Sequence, residues 1–213
     1  MLEQPLIVVS LVASALYGAV LVTRPISGPR TAVKTVAVGA LALQAYLQGE
    51  PLLLIAALAL SALGDAFMAG DPDTWLPFGL AGFLAAHLLY IWLFVAEGGG
   101  RAVLAAEPWR LAAMAAAVVL AAVMLAWLWK SLGRMAPAVV AYVGAIAGMV
   151  LSSLTLPISH WPAMAGAVLF LLSDALLSAQ LFKGFAKGRR WADYAVWWLY
   201  YGGQAAIAYA FLR

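Results

Sequence analysis

The stretch PLLLIAALALSALGDAFMA, residues 51–69, decides the fold class. It carries one ionisable side chain, Asp65, and its apolar residues surround the whole helical circumference instead of forming one stripe. A helix that is apolar all round is enclosed by lipid or by other helices. About 20 such residues suffice to cross the hydrocarbon of a bilayer. Working outward, the same character recurs over Pro5–Thr23, Thr31–Gln48, Trp75–Val95, Trp109–Trp129, Ala136–Thr155, Pro162–Leu181 and Ala192–Leu212. The pattern predicts an all-α polytopic membrane protein of eight transmembrane helices. Trp75, Trp109, Trp127, Trp129, Trp161 and Trp191 fall near the ends of these stretches, as an interfacial aromatic belt requires. The runs are too long for the strands of a membrane barrel and lack their period-two alternation.

Composition agrees. Of 213 residues, 66% are hydrophobic and 10% charged, whereas a soluble domain is roughly 45–50% apolar and about 25% charged. Eight spans would consume these residues, so no soluble catalytic domain is expected beside them within this stretch. The absence of cysteine excludes a disulfide framework, a thiol nucleophile and Cys-ligated metal centres. No phosphate-binding loop, dinucleotide fingerprint, HExxH or GxSxG is present, and nothing points to nucleic acid.

The chain reads as a single integral membrane domain over residues 1–213. A connector at 96–108, containing Gly98-Gly99-Gly100, separates residues 1–97 from 108–213. The third stretch carries Gly64-Asp65-Ala-Phe-Met and the seventh Ser173-Asp174-Ala-Leu-Leu, a correspondence expected of two parallel four-helix repeats. With eight spans both termini share a side. The connectors after spans one, three, five and seven, with the start of span two, hold Arg24, Arg30, Lys34, Lys130, Arg134, Lys183, Lys187, Arg189 and Arg190, against Arg101, Arg110 and Arg213 elsewhere. Basic connectors stay cytoplasmic, which places both termini outside a plasma membrane. The leader has Glu3 and no basic residue, so the first stretch reads as a retained helix and not as a cleaved signal.

An ionisable group in hydrocarbon marks a functional site by default. Asp65, His87 and Asp174 qualify, with Lys34 and Asp193 nearer the interfaces and Ser61, Tyr90, Tyr142, Ser173, Tyr201 and Gln204 as polar company. At about 1.5 Å rise per residue, Asp65 and Asp174 lie roughly 6 and 10 Å from the cytoplasmic ends of their spans, His87 and Gln204 roughly 18 Å from theirs. Residues from spans two, three, four, seven and eight are thus expected to line one cavity open to the cytoplasm. Two buried carboxyls supply an acid and a base when their environments differ, the pairing used to cleave acid-labile bonds through oxocarbenium-like intermediates. The same groups would suit a proton-coupled transporter of small molecules or lipids, which is the alternative reading. Asn in place of both aspartates would leave a purely structural protein unchanged except in stability.

Four motifs carry a resemblance: Ser61-x-x-Gly64-Asp65, Ala86-His87-Leu88-Leu89-Tyr90, Phe170-x-x-Ser173-Asp174 and Tyr201-x-x-Gln204. In this order and in these spans they resemble the YhhN-like lysoplasmalogenase family, whose eight-span layout would cover the whole chain. A basic residue early in span two, here Lys34, fits the family, although members often follow it with proline where Thr35 stands. The resemblance implies a hydrolase that cleaves the vinyl ether bond of a lysophospholipid, lysoplasmalogen, releasing a fatty aldehyde and glycerophosphoethanolamine or glycerophosphocholine. It also implies that Asp65 and Asp174 divide the acid and base roles and that His87 orients water or a carboxylate. Tyr201 and Gln204 would bind the polar part of the substrate and Lys34 its phosphate, with Tyr90, Tyr142, Ser61 and Ser173 around them. Neither metal nor cofactor is needed by that scheme. Membrane lipids are the expected surroundings.

Overall fold

The computed structural model describes residues 5–212, apart from the side chains of residues 72 and 73, so Glu3 and Arg213 lie outside it. Each of the eight apolar stretches is helical: α1 (Pro5–Leu16), α2 (Gly28–Leu47), α3 (Leu52–Met68), α4 (Pro72–Glu97), α6 (Trp109–Leu128), α7 (Ala136–Ser153), α8 (Trp161–Lys183) and α9 (Arg190–Phe211). Two features were not predicted. The first span ends in a π-helical turn, Tyr17–Leu21, and the glycine-rich connector contains a short helix, α5 (Gly100–Ala106). Among the described residues, four helical segments are long and apolar enough to cross a membrane on their own: Thr74–Glu97, Trp109–Ser131, Gly133–Ser153 and Ile158–Lys183. At 17 residues, α3 reaches about 26 Å, short of the roughly 30 Å hydrocarbon core. Polar residues interrupt α2 and α9, among them Lys34, Gln44, Asp193 and Gln204.

The chain divides into two compact units, one reaching Tyr90 and including Phe211 onward, the other Ile91–Ala210. In the first unit, α1, α2, α3 and the start of α4 run antiparallel to their neighbours. The Ser10 hydroxyl of α1 donates to the Ala37 carbonyl of α2. Gly64 and Gly82 let α3 and α4 cross closely: a Cβ on Gly82 would stand 3.2 Å from the Gly64 Cα, and one on Gly64 would stand 3.0 Å from the Phe83 ring.

In the second unit, α8 and α9 are antiparallel and touch backbone to backbone. A Cβ on Gly166 would fall 2.6 Å from the Gly203 carbonyl oxygen, and one on Gly203 would fall 2.8 Å from that of Gly166. The spacing Gly144-x-x-x-Gly148 suggests a close helix crossing, but Gly144 meets open space and only Gly148 approaches a neighbour, the Ile91 side chain. Small residues permit close packing without requiring it.

Arg110, which the sequence reading only counts toward one side of the membrane, has a structural role. It is fully buried in the first turn of α6. Its Nη1 donates to the carbonyls of Leu154 and Leu156, each at 2.8 Å, and its Nη2 to Glu107 Oε1 at 3.1 Å. Carbonyls at a helix C-terminus lack intrahelical donors, and those closing α7 draw the guanidinium inward. Its hydrogen bond, ahead of the smaller one from Trp109, holds the Glu107 carboxyl below the usual glutamate range.

The α8–α9 crossing yields a test. Gly203→Ala should lower the stability of the detergent-solubilised protein by about 1–3 kcal/mol, the range for overpacking. Gly202→Ala, whose nearest neighbour is Leu169 Cδ1 at 3.8 Å, should change it little. Equal melting temperatures for the two variants would contradict the crossing.

Candidate active site

In the first unit Lys34 and Asp65 meet at the end where α2 begins and α3 finishes. Lys34 stands in the second turn of α2 and Asp65 in the last turn of α3. Because the helices are antiparallel, the Lys34 Nζ meets Asp65 Oδ1 at 3.0 Å, with the carboxylate fully buried and Lys34 15% exposed. Arg30, one turn before Lys34, repeats the contact one turn further along. Its Nη1 donates to the carbonyl of Ala69, the C-cap of α3, at 3.2 Å, where a cation complements the helix dipole. Its Nε donates to the Leu21 carbonyl at 3.2 Å, and its guanidinium lies 5.5 Å from the centre of the Tyr17 ring. The π-helical turn thus presents both Tyr17 and a carbonyl to this arginine.

Ser61 lies one turn before Asp65 on α3, and His87 and Tyr90 stand on α4; all three are buried. Of these site residues the structure joins Lys34 to Asp65.

In the second unit, Asp174 on α8 accepts a hydrogen bond of 2.6 Å from the hydroxyl of Tyr142 on α7. Ser173 turns the other way and donates to the Val196 carbonyl of α9 at 2.9 Å. Tyr201 is buried and stacks on Trp197, with ring centres 5.8 Å apart. Gln204 is fully buried one turn further along α9. Asp193 accepts a hydrogen bond of 3.1 Å from the Gln180 side chain. A cavity of about 30 Å³ is lined by Asp174, Tyr142, Ser178, Leu120, Met124 and Leu171, among others. That is room for about one or two waters. Ser178 is absent from the motifs, but its place one turn after Asp174 is a signal that the sequence holds. Among the described residues, no three or more His, Asp or Glu side chains gather as a metal site would require.

The partners of the two aspartates follow one rule. Each comes from the preceding long helix, Tyr142 at a separation of 32 residues from Asp174 and Lys34 one residue nearer to Asp65.

Removing one member of a buried ion pair costs about 3–5 kcal/mol, whereas replacing both with apolar residues is often near neutral. Lys34→Met should therefore destabilise the protein by that amount, and Lys34→Met combined with Asp65→Leu should restore most of it. Additive losses in denaturation of the two single variants and the double would disprove the coupling.

No solved structure matches this chain. Two relatives named lysoplasmalogenase do, from Mycobacterium bovis (strain ATCC BAA-935 / AF2122/97) and Mycobacterium tuberculosis (strain CDC 1551 / Oshkosh). Each is 34% identical over 163 residues, covering 74% of this chain and 59% of the relative. The chain thus spans about three-fifths of the length of the curated relatives it matches. The model of the YhhN family matches residues 29–211, a range that contains Lys34, Asp65, His87, Asp174, Tyr201 and Gln204. This chain belongs to the YhhN family.

Proposed function

We propose that the protein is an integral membrane hydrolase that cleaves the vinyl ether bond of lysoplasmalogen, releasing a fatty aldehyde and a glycerophospho-head group. The observation that carries this reading is the similarity to the two mycobacterial lysoplasmalogenases. The chemistry of the buried side chains supports it. Hydrolysis needs a proton delivered to the alkene carbon, water added to the resulting oxocarbenium carbon, and collapse of the hemiacetal. Only an acid and a base are required.

In this reading Asp65 and Asp174 divide those two roles. Lys34, engaged at 3.0 Å, holds Asp65 in place of meeting a substrate phosphate. Tyr142 orients Asp174 through its 2.6 Å hydrogen bond. His87, Tyr90, Ser61 and Ser173 brace the surrounding helices, and Tyr201 and Gln204 bind the polar part of the lysophospholipid. All eight long helices span the membrane, and the basic connectors keep to the cytoplasmic face of a bacterial plasma membrane with both termini outside.

The purified protein should release aldehyde from a lysoplasmalogen and none from its saturated alkyl-ether analogue, which cannot be protonated at carbon. Asp65→Asn and Asp174→Asn should each lower the rate by about 10²–10⁴-fold, the usual contribution of a general acid or base, with melting temperatures reported alongside. Folded protein that releases no aldehyde would sink the proposed reaction. Cleavage that persists in both variants would sink the assigned roles.

A further inference from the structure

Two connectors meet at one end of the second unit. Phe182, near the end of α8, packs against Leu128, Leu132 and Val139 beneath the α6–α7 connector. The Lys183 ammonium lies 5.8 Å from the centre of the Trp127 ring of α6. Lys130 and Arg134 from one connector therefore join Lys183, Lys187, Arg189 and Arg190 around the other, and all but the half-buried Lys183 are exposed. The acidic residues nearest in sequence are turned to other partners: Asp193 to Gln180 and Asp174 to Tyr142. Against these six positive charges, Asp193 in the first turn of α9 is the nearest carboxylate in sequence, which leaves a clear positive excess.

The opposite end of the same unit differs in kind. There Glu97, Arg101, Glu107 and Arg110 sum to zero, and Arg110 is buried against Glu107.

Exposed rings accompany the charges. Trp129, Phe185 and Trp191 are 57%, 49% and 55% exposed. Aromatic rings of this kind settle at headgroup depth, where one side is apolar and the other wet. The backbone that carries the basic residues is tightly turned. Gly184, Ala186 and Gly188 take positive φ of 64°, 52° and 76°, and the Lys187 and Arg189 N–H groups bond to the Gly184 and Ala186 carbonyls. A short, hydrogen-bonded turn loses less freedom than an open loop when its side chains engage a partner.

We propose that this end of the second unit is a binding surface for anionic phospholipid headgroups, distinct from the site of the proposed hydrolysis. The rings of Trp129, Phe185 and Trp191 sit among the headgroups, and the six basic side chains meet phosphates. Charge of this density next to a membrane span attracts anionic lipid at about 1 kcal/mol per basic residue, roughly fivefold in occupancy. The surface holds lipid whichever reaction the protein performs, because it uses neither aspartate as a ligand.

The test is native mass spectrometry of the full chain in detergent containing equimolar phosphatidylglycerol and phosphatidylcholine. The unsubstituted protein should retain phosphatidylglycerol in clear excess. Lys187→Gln, Arg189→Gln and Arg190→Gln together should reduce that excess by about fivefold per charge. The charge-preserving variant Lys187→Arg, Arg189→Lys, Arg190→Lys should keep it, as should Arg101→Gln at the opposite end. Equal retention of the two lipids by the unsubstituted protein would overturn the proposal, and so would undiminished phosphatidylglycerol on a folded triple Gln variant. Displacement of the lipid by millimolar inorganic phosphate would also overturn it, by assigning the surface to free anions.

Discussion

A carboxylate placed among apolar helices has to be neutralised by something the chain itself carries, and the Lys34–Asp65 pair at 3.0 Å is where this constraint acts most sharply. Hydrocarbon provides no counter-ion, and the desolvation cost of an isolated buried charge runs to several kcal/mol. The pair therefore sets the register of α2 against α3. Once Lys34 meets Asp65, Arg30 must fall opposite Ala69 one turn away, where it takes up an orphan carbonyl of the helix terminus. The π-helical turn after α1 is drawn into the same arrangement through Leu21 and Tyr17. One ion pair thus fixes the ends of three helices together.

The second unit solves the same problem with other residues. Asp174 takes the Tyr142 hydroxyl where Asp65 takes an ammonium, so two carboxyls in similar helical settings have chemically different partners. A neutral donor and a cation do not stabilise a carboxylate equally. Elsewhere the unit satisfies its polar groups through the backbone: Ser173 on Val196, and Arg110 on Leu154 and Leu156. Gly166 and Gly203 bring α8 and α9 close enough that Ser173 reaches across.

Much of the fold was legible because apolar runs and their interruptions are local properties. All eight stretches are helices, with boundaries shifted by a few residues where a proline or a terminal charge extends or shortens a turn. The π-helical turn and α5 were not legible. The first is a local widening that answers to Arg30, nine residues beyond its end on another helix. The second is a seven-residue helix opening on a glycine, too short to be stable without its tertiary neighbours. The burial of Arg110 was not legible for a related reason: the carbonyls that draw it inside belong to a distant helix end.

The candidate site was legible as a set of residue types and not as a set of contacts. Composition and order alone singled out Asp65, His87, Asp174 and their polar company, since so few ionisable residues interrupt the apolar runs. Which side chain meets which was decided by tertiary structure. Lys34 became the counter-ion of Asp65, Tyr142 the donor to Asp174, and Ser173 was committed to α9. The reason is physical. Hydrophobicity acts residue by residue and can be summed along a chain, whereas a hydrogen bond or ion pair depends on distance and direction between helices that packing alone brings together.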